Sequence, residues 1–413
     1  MVPTADADVK AVLRKIGEPA ILFGEENFAR RDRLRKIMDA MTRREREQLT
    51  APAEESVSVV PAEKFYTYGT EELQRAREVI SVASKAAAAQ RLQSERLRLE
   101  ADPEFSSWKS QNLEISTDPF NVASEVGDKR PLSCISFSRD GAALAVAGWS
   151  GAVNVFGPGN LNSMGSFTPS DLRCHSVAWS GRTILAGYAD GRIFSLNEKV
   201  SEICNHEGRV NKIATVPVSE NFFISAGSDE TWKLWDLNRP GNFLLEQEGH
   251  AAAVHALAIH EDGSLVASGD ALGVLHLWDL RSGRQVLSFP SAHVGELVSC
   301  DLHSSLLASG GADGHVKIWD LRQRKLASEV LAHEKLVSSV CFAADGSCLL
   351  SSGFDSTVKL WNPVKNWGLI RNFQVHESRV VGAAFGPSGE IAAACSDRTF
   401  KVWKRQTRMK IEQ

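Results

Sequence analysis

Between Ser309 and Leu321 the chain reads Ser-Gly-Gly-Ala-Asp-Gly-His-Val-Lys-Ile-Trp-Asp-Leu. A run of small residues is followed by an aspartate, then by an alternation of apolar and polar positions that ends in Trp-Asp. Period-two alternation after a small-residue turn predicts a half-buried strand. The pattern recurs: Trp235, Trp278, Trp319, Trp361 and Trp403 follow one another at intervals of 43, 41, 42 and 42 residues. Phe156 and Leu196 hold the same position in two earlier, more divergent units, with intervals of 40 and then 39 residues. A unit of this size cannot bury its own apolar face. Seven of them therefore predict a mainly β ring, a seven-bladed propeller of four-stranded antiparallel sheets.

Only ten residues follow Trp403, too few for an outer strand in the last blade. Val122 to Val126, Val-Ala-Ser-Glu-Val, matches Leu326 to Val330, Leu-Ala-Ser-Glu-Val, which sits where an outer strand belongs. Residues 120–126 are therefore expected to close blade seven, within a propeller spanning 120–413.

Ahead of the ring the periodicity changes to that of a helix. Val9 to Ile16 fits a short helix stopped at Gly17-Glu18-Pro19, and Ile21, Leu22 and Phe23 form an apolar plug before Gly24. Leu34, Ile37, Met38 and Met41 then fall on one helical face, which leaves Arg30, Arg31, Arg33, Arg35 and Lys36 on the others. Residues 50–64, with Pro52 and Pro61, read as a linker between a first helical segment (1–49) and a helical arm (65–119). In the arm, Thr70 suits an N-cap, and Leu73, Ala76, Val79, Ile80, Ala83 and Ala87 keep helical spacing up to Asp102-Pro103. A helix this long with one small-residue face is expected to lie along a partner or along its own propeller.

Composition adds limits. Hydrophobic residues at 43% and charged residues at 24% suit a folded globular chain. A net charge of -4 makes any basic surface a local one. Residues 27–46 carry such an excess, eight Lys or Arg against three Asp or Glu. That run fits a solvated helix face and equally fits contact with phosphate or an acidic partner. Seven cysteines without C-x-x-C spacing read as thiols of a reducing compartment, and no apolar run reaches membrane-spanning length. An intracellular protein is expected.

The repeats account for most histidines. His206, His250, His293, His333 and His376 each precede a strand, and in three blades a Ser, an Asp and the Trp follow at matching positions. Those sets are Ser225, Asp229, Trp235; Ser309, Asp313, Trp319; and Ser351, Asp355, Trp361, which fits a buried structural hydrogen-bond chain. His-Glu pairs at 206, 260, 333 and 376 lack the second histidine of H-E-x-x-H, because Val210, Ser264, Val337 and Val380 stand there. No phosphate-binding P-loop or nucleophile elbow occurs either. The sequence indicates no catalytic residue, metal or cofactor.

Two loop features on one face of the ring stand out as candidate binding chemistry. Of the residues just before each turn aspartate, Trp149 and Phe354 are large and apolar where small ones suffice, so they are candidate anchors, although packing against a neighbouring loop fits them equally. At or next to the start of the innermost strand, Arg379, Arg130, Arg173 and Arg209 occupy blades seven, one, two and three, whereas blades four and five carry Ala253 and Glu296. The expectation is a basic arc that meets phosphates or an acidic protein segment.

Two stretches carry a resemblance. Val12 to Glu25, Val-Leu-Arg-Lys-Ile-Gly-Glu-Pro-Ala-Ile-Leu-Phe-Gly-Glu, followed by Arg30-Arg-Asp-Arg-Leu-Arg35, resembles the splicing factor motif of pre-mRNA processing factors. Ser124 to Ser138, with Gly148-Trp-Ser-Gly151, is similar to the first blade of the WD-repeat (WD40) pre-mRNA processing factor of the U4/U6 small nuclear ribonucleoprotein, the factor-four type. Phe65-Tyr66 and the Ala-rich helix after it are also similar to that family. Blade one departs from the pattern in having Phe156 for Trp. The resemblance implies a non-catalytic, nuclear scaffold subunit of the U4/U6 and U4/U6.U5 particles. Its implied partners are the companion pre-mRNA processing factor three, a cyclophilin H type isomerase, other tri-snRNP proteins and U4/U6 snRNA. By the same resemblance Gly17, Glu18, Pro19, Leu22, Phe23, Gly24 and Glu25 form the partner-binding motif, with Arg30, Arg31, Arg33 and Arg35 as its basic face. The alternative is a WD40 adaptor of another class, a ubiquitin-ligase substrate receptor or a signalling scaffold.

Overall fold

The structure, a computed structural model, describes residues 9, 10, 13, 16, 27–40, 69–102, 115–116, 119–197, 199–363, 366–374 and 378–405. The chain divides into two units, 1–68 and 69–413.

In the first unit, α1 (Asn27–Ala40) buries Leu34 and Met38 together with Val9 and Leu13, and Ile16 and Ile37 pack at the margin. The basic residues of α1 are not all on solvent faces. Arg30 is 4% exposed. It lies one turn before Leu34 and two before Met38, so the helical repeat puts its aliphatic stem on the buried face. Arg31 and Arg33 are half-buried, while Arg35 and Lys36 are exposed and pair with Asp32 at 3.8 and 3.6 Å.

The second unit contains seven four-stranded antiparallel sheets among the described residues. Six are consecutive in the chain: blade one begins at Leu132, and the innermost strands of blades two to six begin at Cys174, Val210, Val254, Leu297 and Val337. The seventh, from Val380, takes its outer strand from Phe120–Val126, which pairs with Thr399–Arg405. Val122 lies opposite Trp403 as Leu326 lies opposite Trp319. Joining both ends of the ring in one sheet leaves no blade open. The two blades without Trp fold like the rest: Phe156 packs on Phe400 of blade seven at 4.8 Å, and Leu196 is buried in blade two.

Four blades share a buried polar chain. In blade five, Trp319 Nε1 donates to Ser309 Oγ at 3.0 Å, Ser309 lies 2.8 Å from His293 Nε2, and His293 Nδ1 lies 3.1 Å from Asp313. With Trp donating to the serine, the hydroxyl hydrogen is left for Nε2 and the Nδ1 hydrogen for the carboxylate. Every buried group is then paired by a neutral imidazole. Blades three and six repeat these contacts through His206 and His333. Blade four makes the same chain with a displaced acid: Trp278 to Ser268 at 2.8 Å, Ser268 to His250 at 2.6 Å, and His250 to Asp270 at 3.1 Å. Asp270 stands where Gly227, Gly311 and Gly353 stand in the other three. A methyl group at Gly227 would fall 2.5 Å from Asp229 Oδ1 and 2.8 Å from His206 Nδ1, so either the acid or its side-chain space occupies that position. His376, the fifth repeat histidine, lies outside the described residues. Blade one replaces the set with Asp128, which accepts from Ser150 Oγ at 2.5 Å.

Helix α2 (Glu71–Ala101) is capped by Thr70, whose side chain accepts from Leu73 N at 3.2 Å. It docks on its own ring. Leu73, Ala76 and Ile80 join Phe222, Trp232, Leu244 and Trp278 in one apolar cluster between blades three and four. Further along, Arg91 pairs with Asp262 at 3.4 Å, Glu95 accepts from Ser304 Oγ at 2.7 Å, and Arg98 donates to the Asp345 carbonyl at 3.1 Å. Those three partners are turns between the first two strands of blades four, five and six. The helix therefore crosses the face opposite the turn aspartates. None of the described helices is long and apolar enough to cross a membrane.

Candidate binding face at the channel mouth

One backbone hydrogen bond places the loop residues of every blade. The residue before each turn donates its N–H to the carbonyl that starts the innermost strand: Trp149 to Pro131, Ala189 to Arg173, Ser228 to Arg209, Ala271 to Ala253, Ala312 to Glu296, Phe354 to Leu336 and Ser396 to Arg379. This puts Arg379, Arg173 and Arg209 at equivalent positions around one mouth of the central channel, with Arg130 one residue before Pro131. Blade six adds Lys335 one residue before Leu336, a position that sequence comparison overlooked because Leu336 holds the equivalent site. All five cations are exposed.

The two large aromatics of these loops sit under arginines of the next blade. Arg173 lies 3.9 Å above the Trp149 ring, and Arg379 lies 5.5 Å from the Phe354 ring. Trp149 remains 38% exposed and Phe354 is half-buried. A guanidinium resting over an aromatic ring keeps N–H donors available for an anionic partner. Arg209 is steadied differently, donating from Nε to Asn211 Oδ1 at 2.8 Å. The three cations Arg130, Arg173 and Arg379 have no carboxylate partner among the described residues.

Electrostatics follow this arrangement. Burial pushes the His175 imidazole down to about 4, and the facing charges of Arg209 and Arg173 push in the same direction. His255 is lowered by burial, while its partner Glu296, 3.1 Å away, opposes the shift. Acidic residues also stand on this face: Asp171, Glu207 and Glu334 occur two residues upstream of the positions that start the innermost strands of blades two, three and six. Below the mouth, a channel space of about 500 Å³ holds Lys212, Ser136, Cys341 and Asp301. Burial raises the Asp301 carboxyl to about 6 against the pull of two backbone N–H donors, Phe342 and Leu302.

The remaining candidate residues fall into two groups. Arg30, Arg31, Arg33 and Arg35 lie on α1 with the burial given above. Gly17, Glu18, Pro19, Leu22, Phe23, Gly24 and Glu25 lie outside the described residues. Among the described residues no group of three or more His, Cys, Asp or Glu side chains converges to hold a metal ion. Chemically, the face presents exposed guanidinium groups whose donors suit an anionic partner.

Comparison with known proteins adds the decisive sequence match. A family profile described as "pre-mRNA processing factor 4 (PRP4) like" matches residues 9–37. One described as "WD domain, G-beta repeat" matches 197–236, 241–279, 283–320, 324–362 and 367–404. The chain joins a PRP4-like motif to WD40 repeats. It is 35% identical to the human U4/U6 small nuclear ribonucleoprotein Prp4 over 169 residues, 39% of this chain and 31% of that protein. Over 165 residues, 38% of this chain and 30% of that protein, it is 35% identical to the U4/U6 small nuclear ribonucleoprotein PRP4-like protein of Arabidopsis thaliana. An uncharacterised WD repeat-containing protein of Schizosaccharomyces pombe is 33% identical over 269 residues, 65% of this chain and 51% of that protein. The matches thus span about half, or less, of the relatives' length. Two blades, one and most of two, lie outside the matched repeats, and both nonetheless fold as blades.

Proposed function

We propose that this protein is a non-catalytic scaffold subunit of the U4/U6 and U4/U6.U5 small nuclear ribonucleoproteins, acting in pre-mRNA splicing in the nucleus. The observation that carries this reading is the presence, in one chain, of the PRP4-like match at 9–37 and a seven-bladed ring. WD40 repeats alone serve many unrelated scaffolds, so the motif supplies the specificity. Relatives named as U4/U6 small nuclear ribonucleoprotein proteins support the same assignment.

In this reading the segment 1–49 engages snRNP proteins through Gly17, Glu18, Pro19, Leu22, Phe23 and Gly24. The companion pre-mRNA processing factor three and a cyclophilin H type isomerase are the expected partners. Arg31, Arg33 and Arg35, which keep accessible surface, supply donors for snRNA phosphates or an acidic partner, whereas Arg30, expected on the same basic face, is buried on α1. The linker 50–64 and the arm 65–119 tie that segment to the ring at 120–413. Trp149, Phe354, Arg130, Arg173, Arg209 and Arg379 form the ring's binding face. Affinity purification from nuclear extract with mass spectrometry tests the assignment. Recovery of U4/U6 particle proteins, with processing factor three and the isomerase among them, is expected. Cullin-associated subunits or signalling kinases in their place would overturn it.

A further inference from the structure

The channel-mouth face is divided chemically along the ring. Blades six, seven, one, two and three carry Lys335, Arg379, Arg130, Arg173 and Arg209. Blades four and five carry no cation at these positions and present more exposed aliphatic groups, Leu272 at 60% and Val294 at 84%, against 45% for Leu172 beside Arg173. These two residues belong to touching loops, because His293 N donates to the Gly273 carbonyl at 3.2 Å. Ala253, Ala271 and Ala312 stand beside them through the bonds Ala271 N to Ala253 O and Ala312 N to Glu296 O. Large aliphatic side chains held this far into water on adjacent loops mark a contact surface. Arg209 sits at the junction of the two halves: its charge acts on His175 on one side and on His255 on the other.

We propose that this face binds an extended segment of a partner protein in which an acidic run adjoins aliphatic residues. The acids lie on Arg379, Arg130, Arg173 and Arg209, and the aliphatic side chains lie on Leu272 and Val294. Charge complementarity sets the direction. Glu296, already paired with His255 at 3.1 Å, ends the basic half. A nucleic acid would satisfy the basic half and leave Leu272 and Val294 without an apolar counterpart, so the observations favour a peptide. Arg173 and Arg209 are held in place before the ligand arrives, which lowers the entropy lost on binding. The inference rests on the reading of this face as a binding surface, and it does not depend on which particle the protein joins.

The test is panning of a displayed random-peptide library on the full chain, followed by titration of enriched peptides and of a charge-matched oligouridylate. The variants are Arg173→Glu with Arg209→Glu, and Leu272→Glu with Val294→Glu. All four side chains are exposed, and a retained thermal transition verifies folding. Enriched peptides are expected to join Asp or Glu clusters to Leu, Ile or Val, and to lose about ten-fold or more in affinity on either variant pair. Peptides without that pairing, or binding indifferent to Leu272 and Val294, would overturn the proposal. Oligouridylate binding that depends on the arginines alone, with no peptide enriched, would assign the face to RNA. None of these outcomes bears on recovery of the U4/U6 particle, so the two readings fail separately.

Discussion

The Arg173 guanidinium lies 3.9 Å above the ring of Trp149, although the two residues belong to neighbouring blades. An arginine with no carboxylate partner among the described residues, held over an aromatic surface, suits an anion. Removing the ring should release the arginine without harming the propeller. Trp149→Ala is therefore expected to cost about 1 kcal/mol or less in stability, the scale of an exposed cation–π contact. Its binding of acidic peptides should weaken several-fold, read by anisotropy. A large loss of stability with unchanged binding would make Trp149 a packing residue.

Blade four offers a rearrangement test of the buried chain. Asp270→Gly leaves His250 without its acceptor and should cost about 1–3 kcal/mol, the range for an unsatisfied buried group. Leu272 occupies the position of Asp229, Asp313 and Asp355 in the other blades. The double variant Asp270→Gly, Leu272→Asp should recover most of that loss in a urea unfolding measurement. Equal stability of the single and double variants would contradict the account.

Architecture was legible because the blade is a repeated solution to one burial problem, so the tryptophan spacing marks each third strand. The shared register of Val122 and Leu326 opposite a tryptophan follows from the same repeat. Blade four's polar chain was hidden because Asp270 stands two residues after Ser268, whereas the other acids stand four after their serines. Burial of Arg30 could have been read from its spacing to Leu34 and Met38; its charge drew attention instead. The stacking of Arg173 on Trp149 and of Arg379 on Phe354 is a relation between successive blades. No local pattern encodes it. The position of α2 across blades three to six likewise depends on tertiary partners such as Asp262 and Ser304.

Acid should weaken the ring before most of its carboxylates titrate. His250, His293 and His333 are held below the ordinary histidine range, first by burial and against the pull of Asp270, Asp313 and Asp355. A group lowered in the folded state binds protons more readily when unfolded, so stability falls as pH drops through about 6.5. His260, raised through Asp262 against the effect of burial, works in the opposite sense, and so does Asp301 below about 6. The three repeat histidines, joined by His175, outnumber them. Unfolding free energy should decline from pH 7.5 to 5.5. A flat or rising profile would mean that the imidazoles are not held neutral.

Helix α2 depends on a polar clamp as well as on its apolar face. Arg91 pairs with Glu95 at 2.9 Å and Asp262 at 3.4 Å, and Asp262 is buried. Arg91→Met keeps the stem and removes the charge. Loss of charged hydrogen bonds of this kind costs about 1.5–3 kcal/mol, so amides of residues 85–101 should exchange at least about ten-fold faster. The blades should keep their protection. Unchanged exchange in the helix would show that Leu73, Ala76 and Ile80 hold it alone.

Membership of the U4/U6 particle is tested most directly by sequencing the RNA that co-purifies with the full chain from nuclear extract. Strong joint enrichment of U4 and U6 over other small RNAs is expected, and it should be lost when residues 9–37 are deleted while the ring still folds. Recovery of neither RNA, with the chain intact and folded, would contradict the splicing assignment.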